Sequence, residues 1–170
     1  MKAIRFVFCL SAALLMTVLN SHAAAQEEFQ GFLKKFTSSA SFQFSRIKFP
    51  LKSPITLLED DGETEKTFSF TKDKWPLLDE ESLKEGRTTE EEGGVYISRF
   101  TVNQPAHKEF EAGYDESEIS LRVVFDLMGG KWYVTDCYTD WYNFDVPIGE
   151  LNETIRSVQE ENKTFEQTHP

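Results

Sequence analysis

Residues 118–142 constrain this chain more than any other stretch. Ile119, Leu121, Val123, Phe125 and Leu127 alternate with polar or smaller residues at period two, the signature of a strand with one buried face. Gly129 and Gly130 follow, two residues that adopt positive φ at no steric cost, and an aromatic-rich run from Trp132 to Trp141 returns. Alternation and turn chemistry agree on a long β-hairpin. A hairpin of this length needs a cover for its apolar face, so the rest of the chain is read as that cover.

The first 25 residues read as a separate element. Lys2 and Arg5 form a positive start, an apolar run extends from Phe6 to Leu19, and Ala23, Ala24 and Ala25 supply the small residues of a signal-peptidase site. The run falls short of the roughly 20 residues of a membrane-spanning helix. Cys9 lies inside it, not at the cleavage point where a lipid-modified cysteine would stand. The expectation is a periplasmic or secreted protein, cleaved near Ala25, with residues 26–170 as a single domain and no membrane attachment after cleavage. Removing a leader that carries Lys2 and Arg5 and no acid takes the net charge from −11 to −13. Such a surface repels nucleic acid and anionic membranes. Cys137 is then the single remaining thiol, which rules out an intrachain disulfide and reads as a small buried hydrophobe.

The cover begins with an amphipathic helix over residues 27–36. Phe29, Phe32, Leu33 and Phe36 fall at i, i+3, i+4 and i+7, with acids at the start and Lys34 and Lys35 at the end. Thr37, Ser38 and Ser39 break it and can cap a short second helix through Ser45. Ile47, Phe49 and Leu51 then alternate in an extended segment that Pro50 and Pro54 confine to an edge. Residues 55–59 and 64–71 flank Asp60, Asp61 and Gly62 and read as a second hairpin ended by Trp75 and Pro76. A helical turn around residues 80–85 and an acidic exposed loop follow, then a strand over residues 95–102. Residues 104–117 read as a polar connection with His107 exposed. Leu151, Ile155, Val158 and Phe165 mark a last helix after Pro147, with a frayed tail from Gln167. Helices first and antiparallel strands after them indicate an α+β fold.

These residues resemble a known family. Phe32-Leu33-Lys34-Lys35-Phe36, Phe42-Gln43, Ser45-Arg46-Ile47-Lys48-Phe49-Pro50-Leu51, Trp75, Gly130-Lys131-Trp132 and Val158-Gln159-Glu160-Glu161-Asn162 with Phe165 are similar to a family of exported Bacteroidetes proteins of unknown function. That family looks like the nuclear transport factor 2-like (cystatin-like) group. The resemblance implies N-terminal helices on a strongly bent, cone-shaped antiparallel sheet, a C-terminal helix, and a pocket between helices and sheet. It implies no activity. The last helix is longer here than the fold requires and is expected to cover a sheet edge or the mouth of the cone.

Candidate site residues come from the hairpin register. With a two-residue turn Met128 pairs with Lys131, so Phe125 faces Val134, Val123 faces Asp136, Leu121 faces Tyr138 and Ile119 faces Asp140. Asp136 and Asp140 then stand on the apolar face with Trp132 and Tyr138, and Arg46 is the expected counter-ion. A carboxylate on an apolar face is either paired or raised in pKa; a turn one residue longer would send both to solvent. With two histidines after the leader and one thiol, no metal site, cofactor motif or catalytic set is expected. The reading is a non-catalytic binding domain for an unknown small molecule or envelope protein. The alternatives are an isomerase or dehydratase using Asp136 or Asp140, and a module that forms a homodimer through its exposed sheet face without a ligand.

Overall fold

The computed structural model describes residues 26–86, 88–91, 94–114, 119–143 and 146–170. The proposed leader, residues 1–25, lies outside them, as do Glu92, Ser117 and Glu118. Ten regular elements follow one another: α1 (Phe29–Ser38), α2 (Ala40–Ser45), β1 (Ile55–Leu58), β2 (Glu65–Phe68), β3 (Thr88–Glu91), β4 (Gly94–Asn103), β5 (His107–Tyr114), β6 (Ile119–Met128), β7 (Lys131–Thr139) and α3 (Leu151–Thr168). The architecture is α+β. β1 and β2 form a separate hairpin, and β3 to β7 form one antiparallel sheet in sequence order.

α1 starts where Glu28 accepts hydrogen bonds from the N–H groups of Gln30 and Gly31 at 2.8 and 2.6 Å. Ser39 caps α2 through Phe42 N–H. The Phe stripe of α1 packs on the inner face of the sheet. Phe29 meets Trp132 at 5.0 Å and Phe125 at 5.4 Å between ring centroids, and Phe32 and Phe36 meet Phe125 at 5.9 and 6.0 Å. Leu33 is only half-buried, at the edge of the stripe. The main hairpin turns on Gly129 and Gly130 at φ +58° and +80°, with Met128 opposite Lys131.

Two buried amides fasten the remaining layers. Gln43 donates to the carbonyls of Phe36 and Leu78 and accepts from Trp75 Nε1–H and Leu78 N–H, so all of its capacity is used. Asn162 of α3 accepts from Leu77 N–H and donates to Trp75 carbonyl.

Several expectations need correction. The polar connection expected over residues 104–117 holds a strand among its described residues: β5 sits inside the sheet between β4 and β6, with Phe110 and Ala112 inward and His107, Glu109 and Glu111 on the other face. Phe110, Ala112 and Tyr114 alternate only in the second half of the segment, too weak an alternation to be recognised. Within the acidic stretch, residues 88–91 pair with β4 as an edge strand. The C-terminal tail is docked, since Ala40 N–H donates to His169 carbonyl and Ser39 Oγ–H to Pro170 carbonyl. α3 packs on the turns Lys72–Lys74 and Asp140–Tyr142. The edge of β7 is covered instead by residues 46–52, through Val134 N–H to Arg46 carbonyl, Lys48 N–H to Val134 carbonyl and Lys52 N–H to Thr135 carbonyl.

Candidate functional site

That edge segment decides where the candidate residues stand. The β6–β7 register runs as expected from Met128↔Lys131 to Phe125↔Val134, and then slips: Val124 faces Asp136, Val123 faces Cys137 and Leu121 faces Thr139. Thr135 is the extra residue of a β-bulge. The expected pairs Val123–Asp136, Leu121–Tyr138 and Ile119–Asp140 are therefore corrected. A one-residue slip exchanges the faces, so Asp136 and Tyr138 leave the helix-covered side and Cys137 takes the inward position. The Cys137 thiol is buried in the core, and burial pushes its pKa far up, consistent with a packing role.

Arg46 is not the partner of Asp136. It forms a two-pronged ion pair with Glu27, Nη1 to Oε2 at 2.8 Å and Nη2 to Oε1 at 3.0 Å, and also donates to Trp132 carbonyl. Its guanidinium lies 4.7 Å from the Phe42 ring centroid. Trp132 returns the contact by donating its backbone N–H to Glu27 Oε2 and its Nε1–H to Glu27 carbonyl. Burial pushes the Glu27 carboxyl up, but the bonds from Arg46 and Trp132 outweigh it and hold the carboxyl below its ordinary range. Arg46 and Trp132 thus come together around Glu27, which the sequence assigned only to the start of the first helix, and their work is to lock the chain just before α1 onto the hairpin.

Asp136 stands on the outer face, where Oδ1 accepts from the backbone N–H groups of Ser53 and Cys137 and Oδ2 from Ser53 Oγ–H. Arg122 Nη1 lies 3.8 Å from it. Tyr138 is opposite Arg122. Asp140 is outside the strand, in the turn Asp140–Tyr142; desolvation raises its pKa against a weaker opposing bond from Thr139. The five candidates do not share one pocket.

What the outer face does assemble is a chain of charges across three strands. His107 Nδ1 lies 2.7 Å from Asp126 and Nε2 lies 3.0 Å from Glu109. Asp126 also accepts from Thr135 Oγ1–H at 2.6 Å and pairs with Lys52 at 3.1 Å. Glu109 continues to Arg122 at 3.5 Å, and Arg122 to Asp136. The hydrogen bonds to Asp126, then to Glu109, raise the His107 pKa. Burial pushes Asp126 up, but bonds from Thr135, His107 and Lys52 hold it low. An imidazolium clamped by carboxylates on both nitrogens lacks the free lone pair of a general base. The network suits adhesion of the covering segment to the sheet and a mixed-charge contact surface. Its sequence signal is the spacing of His107, Glu109 and Glu111 at period two, which becomes readable once β5 is known to be a strand. Among the described residues no group of three or more His, Cys, Asp or Glu side chains could hold a metal ion.

On the inner side, the space between α1 and the sheet is occupied by the rings of Phe29, Phe32, Phe36, Phe100, Phe110, Phe125 and Trp132, most of them fully buried.

Comparison with known proteins places this arrangement. A family model described only as "-like" matches residues 27–166. No curated protein matches the chain. A Bacteroides uniformis protein solved by NMR is 79% identical, with a TM-score of 0.82, covering 86% of this chain and 99% of its own. The crystal structure of a cystatin-like protein from Bacteroides caccae is 64% identical, also with a TM-score of 0.82, covering 86% of this chain and 98% of its own. A Bacteroides ovatus protein solved by NMR is 66% identical, with a TM-score of 0.79, covering 85% of this chain and 94% of its own. The chain belongs to the family that this model describes, one of Bacteroides proteins with a cystatin-like fold.

Proposed function

We propose that the protein is an exported, non-catalytic binding domain of the cell envelope that makes its contacts at its surface and not inside the cone. The observation that carries this is the aromatic filling of the cone. Phe32, Phe36, Phe110, Phe125 and Trp132 are each 1% exposed or less and in ring contact, directly or through Phe29 and Phe100. A small-molecule enzyme of the isomerase type needs a cavity with a polar group aimed into it. Here the acid nominated for that role, Asp136, is committed to Ser53 and Arg122 on the opposite face. Export rests on the Lys2 and Arg5 start, the apolar run and Ala23 to Ala25. The net charge of −11 argues against nucleic acid as the partner. The test is fractionation of the native host followed by intact-mass measurement. A periplasmic or secreted chain beginning near Gln26 is expected; an intact Met1 or a lipid-modified chain overturns the export half. Turnover of any substrate with an Asp136 or Asp140 dependence overturns the binding half.

One observation favours a second reading, a homodimer through the outer sheet face. Arg99, Glu111 and Arg122 form a row of alternating charge across β4, β5 and β6, a pattern that can complement a second copy of itself. Sedimentation velocity decides it: a dimer in the unmodified protein that is lost in Arg122→Glu supports this reading, and a monomer removes it.

A further inference from the structure

A groove of about 1,060 Å³ lies away from the sheet, between α2, the turn Lys72–Lys74 and α3. We propose that this groove is a preformed binding site for a ligand whose recognised end is an apolar ring bearing a carboxylate, with the ring on Phe44 and the carboxylate held by Lys72 and Lys163. The inference rests on the reading as a binding domain and names the site and the ligand chemistry.

Three features carry it. The groove is held open at both ends by bonds independent of any ligand. At one end Ala40 N–H donates to His169 carbonyl and Ser39 Oγ–H to Pro170 carbonyl; at the other Gln159 Nε2–H donates to Asp73 carbonyl. A site fixed in advance spends little binding energy on ordering its walls. The lining includes Phe44, which is half-buried. The charge is the third feature. In a chain with 29 acids against 18 Lys and Arg, Lys72 and Lys163 both line this groove. Among the described residues neither has a carboxylate within 4.0 Å, and Lys72 Nζ instead sits 4.4 Å from the Phe44 ring centroid. Asp73 lines the groove as well, and its carboxylate is occupied by Thr71 and Lys74. Two cations with open donors beside a ring match an anion attached to an apolar body. Glu166 also lines the groove and disfavours a ligand with several negative charges.

The test uses the purified, 15N-labelled protein and three probes of one shape: 3-phenylpropionate, 3-phenylpropanol and 2-phenylethylamine. Phenylpropionate should bind saturably, on the order of millimolar for so few atoms. Its shifts should fall on residues 40–45, 72–74 and 159–166. The alcohol and the amine should bind at least about tenfold more weakly, as should phenylpropionate to Lys72→Glu/Lys163→Glu. Retained spectral dispersion shows that this variant is folded, and Lys163→Gln alone should give a smaller loss in the same direction. Shifts on the sheet face, equal response to all three probes, or no response overturns the proposal. Those outcomes leave the binding-domain reading standing, because that reading fails on turnover and not on this titration.

Discussion

Breaking the Arg46–Glu27 pair should cost more than a surface ion pair and less than a fully buried one. The two side chains are 12% and 21% exposed and meet through two charge-assisted hydrogen bonds. Exposed pairs contribute about 0–1 kcal/mol, and truncating one partner of a buried pair costs about 3–5 kcal/mol. Arg46→Met should therefore destabilise the protein by about 2–3 kcal/mol, leaving a mostly enclosed carboxylate with Trp132 N–H as its remaining strong donor. For a domain of this size that lowers Tm by about 5–10 °C. Glu27→Gln keeps the shape and one acceptor oxygen and should cost about 1–2 kcal/mol. The double variant should cost less than the two added together, with a coupling of about 1–2 kcal/mol. Urea midpoints of the four proteins, with their slopes compared, measure this. The sign of the pH dependence is an independent check. The Glu27 pKa is lowered in the fold, so its contribution is complete above the ordinary value of 4.5 and is lost as pH falls through the lower folded value. The gap between the unmodified protein and Glu27→Gln should close on acidification. Strict additivity, or a gap that widens in acid, would refute the account of this pair.

Further expectations concern the outer face and the core. His107 has a raised pKa, so the stability it lends is full below its ordinary 6.5 and disappears as pH rises through the higher folded value. Thermal melts from pH 6 to 9 should fall by no more than about 1 kcal/mol relative to His107→Gln, given its partly exposed site; parallel curves would show that the clamp is inert. Asp136→Asn should cost about 1–2 kcal/mol by weakening the Ser53 and Arg122 contacts. Its effect should add to that of Arg46→Met, whereas strong coupling between them would restore the pairing that the bulge excludes. Phe32→Ala removes a ring that is 1% exposed and touches Phe29, Phe36, Phe42 and Phe125. It should cost about 3–5 kcal/mol, and an unchanged denaturation midpoint would show that the stripe does not pack on the sheet.

Local chemistry was readable without coordinates wherever it acts over a few residues. The Phe29, Phe32 and Phe36 stripe, the Ser39 cap and the Gly129-Gly130 turn are set by helical spacing, a side-chain oxygen and permitted φ, each of them a signal written within ten residues. So were the β1–β2 hairpin and the α+β class. β5 escaped because its strand character depends on neighbours on both sides, which supply the burial that Phe110 and Ala112 alone do not announce.

The sequence by itself determined the helix stripe, the hairpin turn and the first four pairs of its register. Only the tertiary structure decided which face the next residues take. Residues 46–52 bond to the backbone of Val134 and Thr135, and at Thr135 one residue is left over. That contact spans more than eighty residues of chain, beyond the reach of any periodicity. Because side chains alternate along a strand, one extra residue sends Asp136 and Tyr138 outward, turns Cys137 inward, and leaves Arg46 to Glu27.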